Sequence, residues 1–155
     1  MIANPTQALD PHNPKLERLI DANLNRLKEG IRVIEDICRY VHDNFQLTSA
    51  LKTLRHQLQQ DYTIQRLCYR DIESDIQKKS IKSEQQRQSL QDIIIANFSR
   101  AEESSRVLEE IFKLNDIQAS ERFKKIRYEL YNLEKNYFEM YLLENPLTNK
   151  TSNSK

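Results

Sequence analysis

The nineteen residues from Ala22 to Tyr40, ANLNRLKEGIRVIEDICRY, recur from Ala96 to Leu114 as ANFSRAEESSRVLEEIFKL, and this repeat limits the possible folds more than any single residue does. Eight of the nineteen positions are identical, at a constant offset of 74 residues, and they form the skeleton Ala, Asn, Arg, Glu, Arg, Val, Glu, Ile. A second match follows, because Leu51 to Leu58, LKTLRHQL, is echoed by Phe123 to Leu130, FKKIRYEL, at an offset of 72. Helical periodicity alone does not require the shared Asn and Arg. The chain therefore reads as an internal duplication, and two units make a pseudo-symmetric domain rather than a solenoid.

Glycine narrows the fold class further. Gly30 is the single glycine among 155 residues. The phosphate-cradling P-loop and the dinucleotide fingerprint each need several glycines for tight turns and close backbone approach, so neither is present. One glycine and four prolines also leave little material for the turns of a β-rich domain, while Leu, Glu, Lys, Arg and Gln favour helix. The expected fold is all-α: a bundle of about four main helices built as a duplicated long-helix hairpin.

Charge excludes a broad electrostatic partner, because 24 basic and 23 acidic residues nearly cancel and leave a net charge of +1. Any anion site must be local, and neither nucleic acid nor membrane is an expected partner. Cys38 and Cys68 form no CxxC pair, and His12, His42 and His56 do not approach them at zinc-ligand spacing. Reduced thiols, no signal segment and no long apolar run give the expectation of a cytoplasmic protein.

Residues 1–13 read as a loose leader, with Asn13-Pro14 as a helix start. Leu16, Ile20, Leu24, Leu27, Ile31, Ile34, Cys38 and Val41 then recur at steps of three and four, which predicts a first helix from Pro14 to His42. A second helix is expected from Leu47-Thr48 to Leu67, a third over 85–114 and a fourth over 119–143, with Met140 on its buried side. The repeat units are thus 14–67 and 85–143 within one domain, 14–144. Residues 145–155 are polar and read as a disordered tail.

Asn23 falls at the edge of the first buried stripe and Glu35 beside it, with Glu29 nearly opposite. A buried amide needs a partner. For Asn23 and its equivalent Asn97, that partner is either the backbone of the facing helix or a ligand held between the halves. Residues 69–83, beginning YRDIESDIQKK, have no counterpart in the second unit. They collect Arg70, Asp71, Asp75, Lys78, Lys79 and Lys82, on the kind of segment where functional groups concentrate.

The segments ANLNRLKEGIRVIEDICRY, LKTLRHQL, RDIESD, ANFSRAEESSRVLEEIFKL and RYELYNLE together resemble the all-helical hydroxymethylpyrimidine phosphate kinase domain of thiamine biosynthesis. That domain occurs alone or fused to thiamine-phosphate synthase, and is often labelled by the synthase's name. The resemblance spans residues 16–133. It implies a phosphomethylpyrimidine kinase that transfers the ATP γ-phosphoryl group onto the pyrimidine phosphate with Mg²⁺ as cofactor. The same resemblance implies catalytic roles for Arg70, Asp71, Arg26 and Arg100, and metal ligation by Asp71 and Asp75. It further implies substrate binding by Asn23, Glu29, Arg32, Glu35, Arg55, His56, Asn97, Glu103, Arg106, Glu109 and Arg127. The family usually reads Asp, Val, Gly after its RD motif, where this chain has Asp75, Ile76 and Gln77. ATP and the pyrimidine phosphate are the implied small-molecule partners, with thiamine-phosphate synthase and a second copy of the chain as macromolecular ones. The alternative expectation is a non-catalytic helical module that docks onto thiamine-phosphate synthase.

Overall fold

The computed structural model describes residues 13–80 and 85–141. The expected tail over 145–155 and all of the leader except Asn13 lie outside the described residues, as do residues 81–84 of the segment between the units. The described residues form five α-helices and one 3₁₀ turn, with no strand among them.

Helix α1 runs Pro14–Tyr40, opened by the Asn13 side chain, which accepts from the Lys15 amide at 2.8 Å. Its stripe from Leu16 to Cys38 is buried, whereas Val41 lies past the helix end and is 58% exposed. The helix ends two residues before the expected His42. Asp43 then takes φ 48°, and Asn44 caps the next helix by accepting from the Leu47 amide at 2.9 Å. Because Asn44 is the cap, α2 spans Phe45–Gln57 and starts earlier than Leu47-Thr48 suggested.

The expected continuation of this helix to Leu67 does not occur. A 3₁₀ turn occupies Leu58–Asp61, and Thr63 restarts the chain as the short α3, Ile64–Leu67, by accepting from the Arg66 amide at 3.1 Å. Tertiary contacts favour the break: the Asp61 carboxylate accepts from Arg122 at 2.5 Å, and Arg66 donates to the Asp61 carbonyl. Helix α4 is Leu90–Phe112, not 85–114, because Ser89 caps the Asp92 amide at 3.1 Å while Asp92 accepts from the Gln88 amide at 3.0 Å. These reciprocal contacts resemble a capping box. Helix α5 spans Ile117–Tyr141, and its first turn is held by Asp116 accepting from the Ala119 amide. Met140, expected on its buried side, is 52% exposed.

The core forms where α1 packs on α4, with α2 laid on α1 and α5 on α4. A Cβ on Gly30 would sit 3.0 Å from the Asn97 carbonyl oxygen and 3.4 Å from the Ala101 Cβ, so α1 and α4 touch closely there. Gly30, late in α1, meets Asn97, early in α4, while Asn23, earlier in α1, borders a groove that reaches Ser104 further along α4, so the two helices run antiparallel. Leu27 and Ala101, equivalent in the repeat, are both fully buried near the middle of this contact.

The duplication reappears as paired chemistry. Arg55 of α2 grips Glu35 of α1 with two bonds, 2.6 and 3.1 Å, and Arg127 of α5 grips Glu109 of α4 at 2.8 and 3.2 Å. Each fork staples a hairpin. Burial alone pushes the Glu35 carboxyl up, but the Arg55 hydrogen bond and charge outweigh it and hold the group below its ordinary value; Glu109 follows the same balance with Arg127. The equivalent positions Lys28/Tyr62 and Glu102/Glu134 have diverged. Lys28 lies over the Tyr62 ring, while burial, a hydrogen bond with Glu134 and the charges of Glu134 and Glu103 push the Glu102 carboxyl up to about 9.

Two predictions follow from these contacts. Removing one member of a fork strands a buried charge, so Arg55→Met and Arg127→Met should each destabilise the fold by about 3 kcal/mol in urea unfolding. A loss below about 1 kcal/mol for both would show that the forks are not the staples described. Glu102 has a folded value above the ordinary 4.5, so its proton binds the folded state more tightly, and its stabilisation is complete at low pH and eroded as pH rises from 4.5 toward 9. Glu102→Gln should flatten that decline in urea midpoint; an unchanged slope between pH 6 and 9 would refute the assignment.

Candidate functional site

The polar side of α1 carries two adjoining grooves. The first, of about 470 Å³, lies between α1 and the segment after α3, with Lys15, Arg18 and Arg26 on one wall and Arg70, Asp71 and Asp75 on the other. The second, of about 400 Å³, lies between α1 and α4 and is lined by Asn23, Arg26, Arg100, Glu103 and Ser104. Arg26 belongs to both walls. It projects from α1 one position before Leu27, and so stands beside the helix crossing, as Arg100 does beside Ala101 on α4.

Pairing separates the arginines into two groups. Arg32 pairs with Asp36 at 3.3 Å and lies 3.8 Å from Glu35, while its equivalent Arg106 pairs with Glu110 at 2.9 Å and Glu109 at 3.1 Å. Arg55 and Arg127 are occupied by the buried forks. Arg70 is occupied as well, donating to both oxygens of buried Asp21 at 2.7 and 2.9 Å and to the Tyr62 hydroxyl at 3.1 Å. Among the described residues, the Arg26 and Arg100 side chains make no ion pair or hydrogen bond, and they share the second groove. The desolvation of an anion placed there is opposed by two uncommitted guanidinium groups.

The two asparagines serve the helices that carry them. Asn23 donates to the Leu19 carbonyl at 3.0 Å and Asn97 to the Ile93 carbonyl at 2.8 Å, each one turn back on its own helix. Asn23 also borders the second groove, whereas Asn97 lies against Gly30 through its carbonyl. Of the other expected site residues, Glu29 is exposed on α1 and His56 is exposed on α2 beside Arg55, and neither lines either groove. Arg32, Glu35, Arg55, Arg106, Glu109 and Arg127 stand away from both grooves in their ion pairs.

Asp71 is exposed; its carboxylate accepts from the Ser74 amide at 3.0 Å, and that hydrogen bond chiefly holds the group below its ordinary value. Asp75 likewise accepts from the Gln77 amide at 2.9 Å. Gln77, which replaces the family's glycine, contributes that amide. Among the described residues, no three His, Cys, Asp or Glu side chains converge as a metal site. Asp71 and Asp75 would hold Mg²⁺ only with further oxygens supplied by a ligand or water.

Sequence reasoning missed Asp21, Glu17 and Asp61, the acidic partners of Arg70, Arg66 and Arg122. Asp21 was detectable in principle, since it is an acidic residue one position after Ile20 at the edge of an apolar stripe. No helix of the described residues is long and apolar enough to cross a membrane.

Known proteins bear on this geometry. A thiamine-phosphate synthase of Nostoc punctiforme is 35% identical over 148 residues, covering 88% of this chain and 42% of that protein. Those of Thermosynechococcus vestitus and of Synechococcus strain CC9311 are 39% and 40% identical over 121 residues each, covering 77% of this chain and 34% of theirs. The chain thus spans between a third and somewhat over two fifths of these relatives. No solved structure matches. The names of these relatives correct the kinase expectation: proteins 35–40% identical over most of the chain are called thiamine-phosphate synthase, not phosphomethylpyrimidine kinase. The ThiD2 family model matches residues 18–136, which reaches all five helices and, apart from Lys15, the named lining of both grooves, and the chain belongs to the ThiD2 family.

Proposed function

We propose that the chain is a helical partner module of thiamine-phosphate synthase in thiamine biosynthesis, holding a phosphate-bearing pyrimidine in the grooves around Arg26 without turning it over itself. The observation that carries this reading is the relatives' composition: a segment 35–40% identical to this chain makes up between a third and somewhat over two fifths of proteins named thiamine-phosphate synthase. The charge arrangement supports it. Arg26 and Arg100 are free to meet an anion, while Arg70 and Asp71 are committed to contacts within the protein.

Binding without turnover needs no reacting group, and the uncommitted Arg26 and Arg100 supply charge for an anion. A held substrate beside a synthase would raise the local concentration that the synthase meets.

The test mixes the purified chain with a separately purified thiamine-phosphate synthase. Co-elution on size exclusion, a lower KM of the synthase for its pyrimidine substrate, and loss of the KM effect in Arg26→Gln/Arg100→Gln are expected. Separate elution at concentrations of tens of micromolar, with synthase kinetics unchanged, would overturn the reading. So would conversion of the pyrimidine phosphate by the chain alone.

A further inference from the structure

The first groove is closed on one side by a segment that almost nothing apolar holds down. From Tyr62 to Gln91 no described residue is buried, although residues on both flanking helices are. Within this stretch, residues 69–80 carry Ile72 at 71% and Ile76 at 95% exposure. A segment that buries no apolar side chain has no hydrophobic term to oppose its opening, so its position depends on polar contacts.

Those contacts are few. Arg70 forks onto Asp21 and donates to the Tyr62 hydroxyl, and the Arg18 guanidinium donates to the Asp71 carbonyl at 2.8 Å. At its start the Tyr69 and Arg70 amides donate to the Arg66 and Leu67 carbonyls of α3 at 3.0 and 3.1 Å, and the other bonds lie inside the segment: Ser74 to Asp71, Gln77 to Asp75, and Lys78 to the Glu73 carbonyl at 3.3 Å. Asp21 is 4% exposed, and Arg70 is its only ion-pair partner among the described residues.

The repeat shows that this fastening belongs to one half only. The position equivalent to Asp21 in the second unit is Ile95, and Arg70 lies in the stretch that has no counterpart there. The fork and the inserted segment therefore form one device, present where the groove is walled and missing where the groove between α1 and α4 is open. Turns at Asp71 and Asp75 keep the segment compact.

We propose that residues 69–80 form a strap across the Arg26 groove, fastened to α1 by the Arg70–Asp21 fork and released when that ion pair is broken. Release removes the wall made by Arg70, Asp71, Ile72 and Asp75 and opens the first groove beside Arg26. The strap regulates access to the groove whether or not the chain works with a synthase, so its test uses the chain alone.

The test measures the distance distribution between nitroxide labels at Ile76→Cys on the strap and Lys52→Cys on α2, in a Cys68→Ser background. Cys38 is fully buried and its thiol is pushed up to about 11, so it remains unlabelled. A single narrow distribution is expected for the parent, and a distribution about twofold wider or more for Arg70→Gln, with helix content unchanged. Asp21→Asn should widen it similarly. Arg70→Gln leaves the buried Asp21 carboxylate unpaired, whereas Asp21→Asn removes that charge, so each variant tests the idea if the other folds poorly. A narrow distribution unchanged in Arg70→Gln would overturn the proposal, and so would a parent already as broad as the variant.

Discussion

The close crossing of α1 and α4 is the constraint on which the rest of the structure depends. Gly30 lets the α1 backbone approach the Asn97 carbonyl and Ala101 at a distance that a Cβ would turn into a 3.0 Å contact. Packing at that distance aligns the two buried stripes, places Leu27 against the middle of the contact and puts Arg26 and Arg100 beside it. A glycine inside a helix is unfavourable by about 1 kcal/mol relative to alanine. At Gly30 the close packing against the Asn97 carbonyl and Ala101 offsets that cost. Ser104, its equivalent on α4, fills the corresponding position with a hydroxyl that bonds to the Arg100 carbonyl at 2.7 Å.

Around that crossing, the two halves kept some interactions and changed others. The buried carboxylate–guanidinium forks occur in both, and in both the guanidinium overcomes the penalty of burial on the carboxyl. Such a fork is costly to break on one side only, because the abandoned charge stays buried, so a duplicated pair resists loss in either copy. Positions not locked in this way diverged in charge. Where the first half has Lys28 over Tyr62, the second has the carboxyl pair Glu102 and Glu134, and it lacks the inserted segment with its Asp21 anchor. Structural symmetry and chemical asymmetry therefore coexist in one bundle.

This division changes what the repeated motif means. The alternation Asn, Arg, Glu, Arg, Glu looks like a set of ligand contacts when read along the chain. In space, Glu35 and Glu109 join helices through Arg55 and Arg127, Arg32 and Arg106 pair along their own helices, and the asparagine amides bond to carbonyls one turn back. What remains for a ligand is the first arginine of each unit and the groove between them. Membership of the ThiD2 family and likeness to segments of thiamine-phosphate synthases agree with a module of this kind more readily than with the kinase that the motif first suggested.

The sequence by itself determined the helical class, the duplication and nearly all of the core, because burial on a helix follows a local period that any stretch of twenty residues displays. Leu24, Leu27, Ile31, Ile34 and Cys38 were all readable in that way, and all are fully buried or nearly so. Helix ends were less legible where a side-chain cap decided them, as Asn44 and Ser89 did. Tertiary structure alone decided which charges are committed. Asp21 meets Arg70 across 49 residues, and Asp61 meets Arg122 across 61, so both pairs are invisible to a local pattern. The same holds for the second half of each fork and for the freedom of Arg26 and Arg100. Apolar patterning is a property of one helix, whereas the state of an ion pair depends on which distant helix folds against it.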